Sequence, residues 1–228
     1  MNRHQRRAAK AQSRNAKLDR TVAIHEAGHA VARFLTAEAF GIPAEASVTH
    51  IAISPKHKTE MSSDGERVLI PQATTYGPVL SKELQAVFNR ETVAVPRDEL
   101  KRQHLIDAIA RARQEGIDVE PWLRARMLIF VFGSAAEARH TGRSIVEVWN
   151  SAESELDLKG AVKDGLSANL STVEIAGFID LALEQVATLI DQPPIQRAIN
   201  ALADALPAAG QLTGRMVTSI ISTAMRSE

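Results

Sequence analysis

The sequence contains no cysteine. Disulfides, thiolate metal sites and cysteine nucleophiles are therefore excluded, and the composition fits a reducing, cytoplasmic setting. Aromatic residues make up only 4% of the chain, too few for an aromatic-rich base-stacking surface. No apolar run approaches the roughly 18 residues of a membrane-spanning helix; the longest cluster, Met127 to Phe132, is far shorter. No apolar stretch follows the basic N-terminus, so no secretory signal is expected. The phosphate-cradling pattern G-x-x-x-x-G-K-[ST] is missing, as is the nucleophile pattern G-x-S-x-G. ATP binding and a serine triad are thus without support.

What is present is an ordinary globular composition. The 228 residues are 45% hydrophobic and 24% charged, enough chain to bury a real core in one domain or two small ones. The net charge of zero conceals an asymmetry. Residues 1–20 carry seven basic side chains against Asp19, a net +6, so the remainder sums to −6. Residues 1–19 read as a basic flexible arm suited to an acidic partner.

From residue 20 onward the patterning is mainly helical. Ile24, Ala27, Val31, Phe34 and Leu35 recur at helical spacing, predicting a helix over 20–37, capped by Asp19 or Thr21 and ended by Gly41 and Pro43. Residues 47–54 alternate and are β-branched, a strand pattern stopped by Pro55; residues 66–70 can pair with it across a Ser62–Gly65 loop. Further helices are predicted over 80–93, 97–115, 120–140, 150–167, 172–191, 194–206 and 213–226. Trp122, Trp149 and the phenylalanines read as core, and so does a stripe of Leu105, Ile106, Ile109 and Ala110. The fold expected is mainly α with a small β element.

The residues that carry chemistry are His25-Glu26-Ala27-Gly28-His29. Two histidines four apart on a helix differ by about 40° around its axis, so they share a face and can bind one metal ion, usually zinc. Glu26 sits beside the first ligand and can take a proton from a metal-bound water without ligating. In a chain of this composition H-E-x-x-H arises by chance roughly 2% of the time. Zinc needs a third protein ligand. Ala32 and Leu35 occupy the positions where an extended metzincin motif has glycine and histidine. Glu38 and Glu45 fall around a Gly/Pro break. Glu137, His140, Glu153, Glu155 and Asp157 remain as candidates from later helices. His50 and His57 read as surface or cleft residues, His104 as solvated on a charged helix, and His140 as a cation suited to a helix C-terminus.

The segment Thr21 to Val31, with its His-Glu-Ala-Gly-His-Ala core, resembles the peptidase domain of the FtsH-type ATP-dependent zinc proteases. Residues 47–55 are similar to the strand that follows the metal helix there. Gly133-Ser134-Ala135-Ala136-Glu137 is similar to that family's Gly-Gly-Arg-x-Ala-Glu-Glu helix, and Ser154 to Ala161 to its Ala-Ser-Asn-Asp-Leu-x-x-Ala segment. Ala201 to Leu206 and Leu212-Thr213-Gly214 resemble its closing helices. The resemblance implies an FtsH-type helical peptidase domain over 20–228. His25, His29 and Asp157 would be the Zn2+ ligands and Glu26 the catalytic base. Glu137 would support a ligand from behind or serve as the alternative third ligand.

Three departures qualify the resemblance. There is no ATPase module, no transmembrane anchor, and an insertion around 56–120. Leu156 also stands where the family has asparagine. The expected activity is hydrolysis of peptide bonds in unfolded or flexible protein substrates without ATP. The alternatives are a catalytically inactive, zinc-stabilised binding module, or a peptidase subunit served by a separate ATPase. Family members work as rings, which makes a homo-oligomer a further expectation.

Overall fold

The computed structural model describes residues 20–37, 40–61, 67–76, 82–93 and 102–227, without the side chains of Glu45, Arg102, 54–61 and 67–76. The arm, the Ser62–Gly65 loop, Asp19, Glu38 and the start of the 97–115 helix lie outside the described residues. The protein is mostly helical with a small antiparallel sheet. Helix α1 runs over residues 20–37. It is followed by α2 (Ala44–Ser47), β1 (His50–Met61), β2 (Arg67–Tyr76), α3 (Lys82–Glu91), α4 (Arg102–Gln114) and α5 (Glu120–Thr141). After α5 come α6 (Ile145–Trp149), a 3-10 turn (Ala152–Ser154), α7 (Glu155–Ser167), α8 (Thr172–Leu189), α9 (Pro193–Ala209), β3 (Gln211–Thr213) and α10 (Gly214–Arg226). Among the described residues no helix is long and apolar enough to cross a membrane.

Helix α5 is the spine of the core. Every residue from Val131 to Ala138 is buried, along with Trp122, Leu123, Met127 and Ile129. A helix apolar on nearly all sides must be enclosed by others. On one side α8 packs with Ile175, Ile179, Ala182 and Val186; each large aliphatic buried this way stabilises by about 1.5–3 kcal/mol. Ser171 and Glu174 close a reciprocal capping box at the start of α8, and Ser144 and Glu147 do the same for α6.

On another side α1 meets α5 backbone to backbone. A Cβ on Gly28 would lie 2.7 Å from the carbonyl oxygen of Phe132, 2.9 Å from Cβ of Ala136 and 3.1 Å from Cα of Gly133. The helix-propensity cost of this glycine, about 1 kcal/mol relative to alanine, therefore has a packing reason. Helices α9 and α10 pair through faces that include Leu202, Leu206, Val217 and Ile221. The short β3 between them joins the sheet in the order β2-β1-β3, placing buried Leu212 opposite buried Ile51.

Four local expectations are corrected. Pro55 does not stop β1: a register irregularity between Ile53 and His57 accommodates it and the ladder continues to Met61 opposite Arg67. A proline lacks the donor for a regular ladder but is tolerated at a bulge. The insertion therefore opens as a long hairpin, and β2 extends to Tyr76. The 150–167 helix starts late: a separate short helix capped by Ser144 ends at Trp149, a 3-10 turn covers Ala152–Ser154, and α7 itself begins at Glu155. The apolar face of α4 is shifted: Ala108, Ile109 and Ala112 are buried, Leu105 and Ile106 half-buried and Ala110 exposed. His104 on the same helix is half-buried and engaged, so it is not a solvated histidine.

The glycines of two helices should respond in opposite ways to alanine. Gly28→Ala is expected to destabilise the fold by about 1–3 kcal/mol through overpacking. On α8, Gly177 faces open space, and Gly177→Ala should stabilise it by up to about 1 kcal/mol. Urea unfolding midpoints of the two variants check this; equal shifts would contradict the packing assigned to Gly28.

Candidate metal centre

Helices α1, α5 and α7 each bring one face to the same point. From α1 come His25, Glu26 and His29; from α5 come the Ile129 carbonyl, Gly133 and Glu137; from α7 comes Asp157. Gly133 makes room for the two imidazoles. A Cβ there would lie 2.5 Å from Cε1 and Nε2 of His29 and 2.9 Å from Nε2 of His25.

Each histidine is oriented from behind. Nδ1 of His29 lies 2.7 Å from the Ile129 carbonyl oxygen, which can only accept, so Nδ1–H donates. Nδ1–H of His25 donates to Oε2 of Glu137 at 3.1 Å. Both Nε2 atoms are thereby turned inward. They lie 3.1 Å apart, and Oδ2 of Asp157 sits 2.9 Å from Nε2 of His25 and 3.2 Å from Nε2 of His29. The rings meet edge to face, with centroids 4.7 Å apart.

Three acceptor atoms at such separations repel one another unless positive charge lies among them. In the protonated form that charge is on His25. Burial works against it, but hydrogen bonds to Asp157 and Glu137 prevail and push the imidazole up to about 10. Burial likewise opposes ionisation of Asp157, and the two histidines more than offset it, holding the carboxyl well below the usual carboxylate range. A metal ion meets the same need. Zinc bound tetrahedrally at about 2.0–2.1 Å sets its ligand atoms about 3.3 Å apart, close to the edges of this triangle. Two imidazoles and one carboxylate are also a donor set of the kind found in hydrolytic zinc sites. Among the described residues His25, His29 and Asp157 form the group able to hold a metal ion.

The other candidates stand elsewhere. Glu137 touches the opposite side of the His25 ring, so it orients the imidazole from behind and lies outside the Nε2–Nε2–Oδ2 triangle. His140 is exposed at the end of α5, and exposed Glu155 pairs with Lys159 at 2.7 Å. Exposed Glu153 lies outside the triangle; partial burial raises its pKa, and hydrogen bonds from Ser151 and the backbone, with the charges of Arg143 and His25, bring it below the usual carboxylate value. His50 is half-buried at the start of β1; the side chains of Glu45 and His57, like residue Glu38, are not among those described. Leu156, in the place of the family's asparagine, points outward at 69% exposure and leaves Asp157 undisturbed. Glu26 is buried, and its charge acts on His25.

One contributor was not legible in the sequence: the Ile129 carbonyl is a backbone group with no residue-type signal. Gly133 stood out only as part of the Gly133–Glu137 resemblance, which gave it no role of its own.

No protein-family model matches the chain, and no curated protein does. The reading of this centre rests on its geometry and on the motif.

Zinc affinity, measured by competition with a chromophoric chelator, should fall about 10- to 100-fold in Glu137→Gln, which removes the carboxylate behind His25. Gly133→Ala should weaken binding at least about 10-fold by displacing the rings. Glu155→Gln is the control and should bind like the parent. Unchanged affinity in Glu137→Gln would contradict its orienting role.

Proposed function

We propose that this chain is a zinc metalloendopeptidase of FtsH-like type that hydrolyses peptide bonds in unfolded or flexible proteins without ATP. The observation that carries the reading is the convergence of His25 and His29 with Asp157, 128 residues beyond His29 in sequence, beside an intact Glu26. A zinc ion held by the three would supply Lewis-acid polarisation of the scissile carbonyl and a lowered pKa for the attacking water. The chain's own residues do the rest. Glu137 and the Ile129 carbonyl fix the ring orientations. Glu26 accepts the proton of the attacking water and returns it to the leaving amine. Its position one residue after His25 brings it to the ligand set without making it a member.

A separate ATPase delivering substrates, and a homo-oligomeric state, are compatible extensions. The cysteine-free composition fits a cytoplasmic location. A second reading, a zinc-stabilised binding module without turnover, is favoured by one feature: the ligand set ties α1 to α7 across 132 residues from His25, so a bound ion would also stabilise the fold.

Glu26→Gln separates the two. The peptidase reading expects the variant to keep its zinc while cleavage of casein falls by about 10²- to 10⁴-fold. A parent protein with full zinc occupancy that does not cleave casein would contradict it, leaving the binding module.

A further inference from the structure

A groove of about 450 Å³ lies on the exposed side of α8, where that helix passes Arg124 of α5. Its floor is apolar. Phe178 is half-buried there, and Leu181 is 47% exposed. Gly177 keeps the floor open, with nothing within 4 Å of the place a Cβ would take. Val173, one turn earlier on the helix, is 79% exposed. Apolar surface left outside the core and rimmed by polar groups marks an interaction site.

The rim is acidic. Helix α8 carries Glu174, Asp180 and Glu184 and no lysine or arginine, and all three carboxylates line the groove. Glu174 is committed to Ser171 in the capping box and feels the charge of Arg113. Asp180 and Glu184 are exposed and, among the described residues, make no hydrogen bond or ion pair. Arg124 lies 5.8 Å over the ring of Phe178, and Glu120 holds it through hydrogen bonds of 2.8 and 2.6 Å. Two uncompensated carboxylates therefore border an apolar floor.

This charge pattern selects the occupant. A second copy presenting the same face would bring like charges together, which opposes association. A cationic segment with small apolar side chains fits. Residues 1–18 are such a segment: they hold six basic side chains and no acidic one, interleaved with four alanines. They also have the reach. Arg20 precedes Gly28 by eight residues, and Gly28 lies against Ala136, twelve residues beyond Arg124. That path of twenty helical residues is about 30 Å long, whereas eighteen residues of extended chain span about 60 Å. A tethered segment also meets its site at a high effective concentration, an advantage that a free partner lacks.

We propose that the groove on α8 is the docking site of the same chain's basic arm, residues 1–18, with Asp180 and Glu184 taking its basic side chains. The assignment depends neither on zinc nor on turnover.

The test locates the arm in the whole protein. The chain has no cysteine, so Ser13→Cys and Gln185→Cys create two unique labelling sites. One is in the arm and the other is beside Glu184 on the exposed face of α8. Nitroxide labels at these sites, read by pulsed electron paramagnetic resonance, should give one short, narrow distance that is independent of protein concentration. Asp180→Asn combined with Glu184→Gln should convert it to a long, broad distribution. Both side chains are exposed, so this pair of changes leaves the core intact. Glu83→Gln combined with Glu91→Gln makes the same change of charge outside the groove and should leave the distance as it was. A broad distribution in the parent would overturn the docking and leave the groove to a basic partner. A short distance that appears only at high concentration would overturn it in favour of the arm of a second copy. A short distance that survives the loss of both carboxylates would place the arm on other contacts and contradict the role of the groove.

Discussion

At the crossing of α1 and α5 two glycines let backbone approach backbone, and the His25–His29–Asp157 triangle is built on that approach. Gly28 brings α1 against the Phe132 carbonyl, and Gly133 leaves the space into which His25 and His29 turn. With side chains at these positions the helices would stand further apart. The Ile129 carbonyl and Glu137 would then lose their hold on the imidazole Nδ1 atoms, and the Nε2 atoms would no longer face one point. Side-chain chemistry at this site is subordinate to interhelical distance. The buried spine of α5 supplies the rigidity, because well-packed interiors resist small displacements.

The second constraint is electrostatic. Two imidazole nitrogens and a carboxylate oxygen within 2.9 to 3.2 Å of one another form an arrangement that needs a cation. A proton on His25 meets the need, and a metal ion would meet it as well, in which case its binding would displace protons. Because Asp157 is brought from a distant helix, an ion held there would also restrain α7 relative to α1.

The legible parts of the sequence are those whose signal is local. The His25-Glu26-His29 spacing is a property of one helix, and α1, α5 and α8 were readable from periodicity and punctuation. Asp157 was not readable in that way. Glu137, His140, Glu153, Glu155 and Asp157 stood as equals until a family resemblance singled out the last. The packing of α7 on α5, which decides the matter, is a tertiary fact. Pro55 misled because a bulge can absorb a proline that a regular ladder would reject.

The central claim is that His25, His29 and Asp157 hold one zinc ion. Elemental mass spectrometry of protein purified without a histidine tag tests it most directly, with Asp157→Asn measured alongside. The account predicts about one tightly held zinc per parent chain, as expected for a three-ligand site, and a clear loss of zinc in Asp157→Asn with the helical content retained. A folded parent protein that carries no zinc and takes up none on addition would contradict it.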